Sequence, residues 1–143
     1  MAGKKKTIRI RTQPRIYREP EPLKLDLGSG PRPAPGFKGV DRVPGCADFC
    51  VNLCDGSRWP WADSSVDELR SCHAIEHIDA VFLKGVKGYP GEEVDAFYWF
   101  MDEAFRIAKP GAVFTLQWPA LQSERAFRDP THRRFIPHTV INY

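Results

Sequence analysis

Apolar residues along this chain fall in short blocks separated by glycine- and proline-rich punctuation. Leu23-Lys24-Leu25-Asp26-Leu27 alternates with a period of two and runs into Gly28-Ser29-Gly30, which predicts a strand ending in a tight turn. Pro31, Pro33 and Pro35 follow, leaving little room for a long helix before a second strand over Phe37 to Val43. Residues 48–53 read as a third strand and Val66 to Cys72 as a fourth. Residues 79–91, with three glycines and a proline, read as a loop open to movement. The clearest helix spans Glu92 to Lys109, with Val94, Phe97, Tyr98, Met101, Ala104, Phe105 and Ala108 forming an apolar stripe. Glu92, Glu93 and Asp95 in its first turn and Arg106 and Lys109 near its end suit the helix dipole, and Pro110-Gly111 stops it. Ala112 to Trp118 is a fifth strand, and residues 120–143 are polar and loop-like. Short strands alternating with loops or helices predict an α/β fold around a mostly parallel sheet of about five strands with flanking helices.

At 143 residues the chain suits one domain, and 42% hydrophobic content is enough for a real core. No apolar run approaches the roughly 20 residues that span a bilayer, and the basic N-terminus is followed by no apolar h-region. The reading is a soluble, cytoplasmic protein without a membrane partner. The net charge of +3 conceals an asymmetry: residues 1–18 hold seven basic side chains and no acid, and the rest has 14 basic against 18 acidic. Residues 1–22 therefore read as a basic extended arm and 23–143 as the folded domain. Such an arm is ordinarily a solvated extension, and it is also the one feature open to nucleic acid.

Cys46, Cys50, Cys54 and Cys72 show neither paired zinc-finger spacing nor a disulfide pattern, and read as buried reduced thiols. Gly28-Ser29-Gly30 lets backbone approach a ligand, although Pro33 stands where a dinucleotide fingerprint needs its third glycine. Asp41, ending the second strand, is placed to accept two hydrogen bonds from ribose hydroxyls, or is a turn aspartate. His73-Ala74-Ile75-Glu76-His77 spells H-x-x-E-H, an inverted zinc-protease signature that needs both histidines on one helix face. Trp59 and Trp61 are expected as possible pocket walls, while Tyr98 and Trp118 read as packing residues.

Taken in order, Leu25-Asp26-Leu27-Gly28-Ser29-Gly30, Gly39-Val40-Asp41, Trp59 to Asp67, Ala74-Ile75-Glu76-His77 and Ala108-Lys109-Pro110-Gly111-Ala112 resemble class I S-adenosylmethionine-dependent methyltransferases. The small type-11-like subgroup is the nearest, and the likeness covers roughly residues 23–120. The resemblance implies a Rossmann-like sheet with S-adenosylmethionine as cofactor. It implies cofactor contacts at Asp26, Gly28, Ser29 and Gly30, ribose held by Asp41, the adenine amino group near Asp55, and Ser71, Cys72 and His73 facing the methyl donor. His73 is the candidate general base, because its unperturbed pKa lies near neutrality. Asp129 and His132 resemble a segment on the acceptor side, and a plain Asp-Pro turn is the competing reading. The resemblance accounts for Glu76-His77 without zinc, so no metal is assigned.

The family normally continues through two further strands, so the expected sheet is C-terminally abbreviated, with an oligomer as one way of completing its edge. The motifs of amino-directed or cytosine-carbon DNA methyltransferases and the paired glutamates of arginine methyltransferases are missing. The expected acceptor is a small molecule, or a polymer reached by the arm. Two other classes stay open: a non-catalytic cofactor-binding or interaction module, and a zinc-dependent hydrolase using His73, Glu76 and His77.

Overall fold

The structure is a computed structural model and describes residues 21–137 and 139. All but the last two residues of the basic arm, and His138 and residues 140–143, lie outside the described residues. The described chain is an α/β fold with five parallel strands in the order β3-β2-β1-β4-β7 and a separate two-stranded hairpin. The sheet strands are β1 (Lys24–Leu27), β2 (Lys38–Asp41), β3 (Phe49–Cys50), β4 (Val66–Cys72) and β7 (Ala108–Gln117). Two α-helices are present among the described residues, α1 (Ala96–Ile107) and α2 (Glu124–Arg128). Flanking helices are thus fewer than the sequence pattern implies. The links β1–β2, β2–β3 and β3–β4 run without an α-helix.

Proline explains the first of these links. Pro31, Pro33 and Pro35 deny helical hydrogen bonding, and the loop is held instead by the Ala34 amide donating to Asp26 Oδ2 at 2.8 Å. β1 is central in the sheet, and Leu25, Asp26 and Leu27 are all buried, as a parallel strand covered on both faces requires. Leu25 and Leu27 are fully buried, worth about 2 kcal/mol each.

The stretch read as a loop over 79–91 contains more order than expected. β5 (Phe82–Lys84) pairs antiparallel with β6 (Glu93–Asp95), so the first residues assigned to the helix belong to a strand. Asp95 is the cap of α1, its Oδ1 accepting from the Phe97 amide at 2.9 Å. The buried stripe of α1 is Ala96, Phe97, Phe100, Ala104 and Ile107, offset from the predicted one. Tyr98 and Phe105 are 61% and 85% exposed. This helix carries apolar residues around most of its circumference, so spacing alone did not settle which face packs. The hairpin takes another side, where Trp99 packs with Val86 and Val94.

Pro110-Gly111 does not part helix from strand. The helix ends at Ile107 and β7 begins at once. The β4–β7 register shifts between Val66↔Ala108 and Glu68↔Val113, so the proline and a glycine at φ 82° sit within an irregularity in β7. α2 also lies inside the segment predicted to be loop. No helix among the described residues is long and apolar enough to cross a membrane.

Candidate functional site

Parallel strands align their carboxyl ends along one edge, and the strand order runs from β1 outward to β2 and β3 on one side before crossing to β4 and β7 on the other. Ligands of open α/β sheets bind at such a reversal, outside the strand ends. A cleft of about 320 Å³ lies there, lined by Gly28 after β1, Asp41 and Arg42 at the end of β2, Asn52 after β3, and His73 after β4. Cys54, His77, Asp79 and Phe100 complete much of its wall.

Gly28 sits at φ 72°, and its amide donates to the Val40 carbonyl at 2.8 Å. A Cβ there would fall 2.5 Å from the Ala74 Cβ, so glycine is what lets the β1 turn and the chain after β4 approach. Asp41 joins two turns: Oδ2 accepts from the Gly30 amide and Oδ1 from the Val43 amide, each at 3.0 Å. Each oxygen keeps a lone pair for a further donor. His73 adopts φ 54°, a left-handed geometry that a non-glycine residue holds only under constraint. Its amide continues the ladder to the Gln117 carbonyl at 2.8 Å, and the chain then leaves the sheet through the 3-10 turn Ile75–His77.

On the other side of His73 and His77 is a second, more open groove, lined also by Glu76, Arg125, Arg128, Asp129 and His132. The Arg133 and Arg134 amides donate to the Glu76 carbonyl at 2.7 and 3.1 Å, which brings the distant 129–134 segment against the turn. Asp129 Oδ1 accepts from the Thr131 hydroxyl at 2.6 Å and the Thr131 amide at 2.8 Å, and these bonds hold its carboxyl below the usual value.

Of the predicted site residues, Gly28, Asp41 and His73 line the cleft, and His73, Asp129 and His132 line the groove. The others line neither cavity. Asp26 is buried and tied to Arg70 Nη1 and the Ala34 amide, both at 2.8 Å. Ser29 Oγ donates to the Gly30 carbonyl at 2.9 Å, while the Gly30 amide is the one that Asp41 holds. Buried Ser71 donates to the Leu27 carbonyl at 2.9 Å, and Cys72 Sγ lies 3.3 Å from Gln117 Oε1. Asp55 is exposed and accepts from the Ser57 amide at 2.8 Å. Trp59 is core rather than pocket wall, edge-on to Phe100 at 5.5 Å, and Trp61 meets Phe49 in the same way at 5.5 Å.

The four cysteines are not buried thiols: Cys50 is exposed and Cys46, Cys54 and Cys72 are half-buried, and residues 44–48 turn rather than extend, so Cys46 shares no strand with Cys50. Burial still pushes the Cys54 thiol up to about 12. Sequence reasoning missed Arg42, Asn52, Cys54 and Asp79 on the cleft. Their common signal is position, directly after a strand at the carboxyl edge or in the loops facing it. Glu76 was seen only as part of a motif, and nothing in the sequence announced its burial.

Compared with family models, curated proteins and solved structures, the chain gives no match.

Proposed function

We propose that this protein is an S-adenosylmethionine-dependent methyltransferase built on a Rossmann-like sheet. The observation that carries the reading is the convergence of Gly28, Asp41 and His73, from the ends of three parallel strands, on one cleft at the strand-order reversal. The donor set suits the cofactor: an acid with free lone pairs for ribose hydroxyls, close-packed glycine backbone, and a mixed polar and apolar wall. Asp41 and Asn52 would hold the nucleoside end and the Gly28 turn the amino-acid end. Bound there, S-adenosylmethionine supplies an electrophilic methyl group.

The chain's own residues position and deprotonate. His73 Nδ1 lies 3.1 Å from Glu76 Oε1. A carboxylate accepts, so Nδ1 carries the proton and Nε2 is left as the base. Because His73 borders both cavities, Nε2 can take the proton of a hydroxyl or amine entering from the groove. Arg125 and Arg128 on that groove favour an acceptor with an anionic group. The cleft without an acceptor chemistry would serve a cofactor-binding module equally well. The hydrolase reading is weaker, since His73 precedes a three-residue 3-10 turn and does not share a helix face with His77.

Calorimetric titration of the full chain with S-adenosylmethionine tests the proposal. Saturable binding that Asp41→Ala weakens at least tenfold supports it, and folded protein giving no binding overturns it. Methyl transfer to a panel of anionic hydroxyl and amine acceptors, lost in His73→Ala, separates the enzyme from the binding module.

A further inference from the structure

We infer that Glu76, His77 and His132 form a site for one divalent first-row transition-metal ion, of the kind zinc occupies. The inference does not rest on the methyl-transfer reading. One nitrogen from each imidazole and one carboxylate oxygen lie within 4.8 Å of one another. Glu76 Oε1 and His132 Nε2 are 4.0 Å apart.

The tautomers favour ligation. His132 Nδ1 lies 2.8 Å from the Ala126 carbonyl, and His77 Nδ1 lies 3.3 Å from the Thr131 carbonyl. Carbonyls only accept, so both Nδ1 atoms carry protons and both Nε2 lone pairs are left for another partner. Thr131 Oγ1 agrees: its proton goes to Asp129 Oδ1 at 2.6 Å, so at 3.1 Å from His77 Nδ1 it is an acceptor. A ring nitrogen anchored on a backbone carbonyl, with the other directed to the metal, is the usual outer arrangement of histidine ligands.

The carboxylate supplies an independent observation. The Glu76 side chain is 3% exposed, and its Oε2 has no hydrogen-bond partner among the described residues. A buried carboxylate with one oxygen unpaired is costly, and a cation held through Oε1, the oxygen near His132, or through both oxygens offsets that cost. His73 donates to Oε1 and so orients the group. Two imidazoles and one carboxylate match the donor set of open zinc centres, with non-haem iron(II) the main competitor. Bonds of about 2.0–2.1 Å need ligand atoms about 3.4 Å apart, so the cluster must contract modestly. His77, exposed on one side, has the freedom to do so. All three ligands line the groove, as do Arg125 and Arg128.

The test uses tag-free full-length protein stripped with chelator and titrated with zinc(II), and with cobalt(II) as an optical probe. The expected result is one equivalent held per chain, a visible cobalt band of low-coordinate type, and a melting temperature that rises with zinc. His77→Ala, His132→Ala and Glu76→Gln are each expected to weaken binding at least tenfold. A Cys46→Ser/Cys50→Ser variant should bind as the parent does. If His132→Ala or Glu76→Gln does not fold, His77→Ala decides, because its side chain is exposed. Binding below one-tenth equivalent, or binding that survives His77→Ala and vanishes in the cysteine variant, overturns the site.

Discussion

The amide of Gly30 donates to Asp41 Oδ2 at 3.0 Å, so the turn that ends β1 and the acid that ends β2 are one mechanical unit. Asp41→Asn keeps the shape but can accept from only one of the two amides now held, Gly30 and Val43. The other amide would then face an NH2 group. A stability loss of about 1–3 kcal/mol is expected in urea unfolding. An unchanged midpoint would show the two bonds to be dispensable.

Gly28 and Gly30 both have positive φ and should nonetheless respond differently to alanine. At Gly28 the added Cβ meets Ala74 Cβ at 2.5 Å, whereas at Gly30 nothing lies within 4 Å. Gly30→Ala should cost only the left-handed penalty, about 1–2 kcal/mol. Gly28→Ala should cost clearly more, with part of the loss recovered by adding Ala74→Gly. Comparing denaturation midpoints of the three variants checks the ordering.

Arg106 pins the loop before β4 to α1. Its guanidinium reaches Glu103 through Nε and Nη2 at 2.6 Å each, Trp61 O and Asp63 Oδ1 at 2.8 Å, and Trp59 O at 3.1 Å. Glu103 Oε2 also accepts from the Trp59 amide at 2.6 Å. Arg106→Ala strands a buried carboxylate, and a loss of about 3–5 kcal/mol is expected. Arg106→Lys should rescue little, because an ammonium cannot reproduce the fork. Chemical denaturation of both variants reads the difference.

Acid should destabilise the fold from one direction only. Asp48 is held below the usual aspartate value by the Gly39 amide, Asp63 by Arg106, Asp67 by Lys109 and Asp129 by Thr131. Lowered folded values mean stability that is complete above the ordinary value of 3.8 and lost as pH falls below it. The melting temperature should hold from neutrality to about pH 5 and then drop. A Lys109→Met variant, lacking the leading cause at Asp67, should drop less below about pH 5.

Thiol labelling should discriminate between neighbouring cysteines. Cys50 is exposed, whereas the Cys54 thiol is pushed up to about 12 by burial and carries little thiolate near neutrality. Brief alkylation of native protein should mark Cys50 and spare Cys54, as peptide mass spectrometry would show. Equal labelling would mean that the cleft wall opens readily.

Short strands bounded by turn residues were legible from sequence. Val66–Cys72 has the predicted bounds, and Leu25 and Leu27 carry the core as their pattern implies. The face of α1 was not, since Tyr98, Trp99 and Phe105 blur the stripe that Phe97, Phe100 and Ile107 form. The hairpin of β5 and β6 was hidden because its strands are three residues each and the segment joining them carries Gly85, Gly88, Pro90 and Gly91. At the site, Gly28 and Asp41 were legible because one follows and the other ends a strand at the same edge. The approach of His132 to Glu76 was not, for it depends on backbone bonds from Arg133 and Arg134 to a carbonyl far along the chain.

His73 and His77 are common to the cleft and the groove, and this shared boundary has a thermodynamic consequence. Occupants on its two sides are linked through the same imidazoles. A ligand that fixes those rings on one side alters the affinity on the other, and the factor must be equal in both directions. Measuring each occupant's dissociation constant with and without the other therefore closes a cycle, and repeating it in His73→Ala and His77→Ala reads the share of the coupling that each side chain carries.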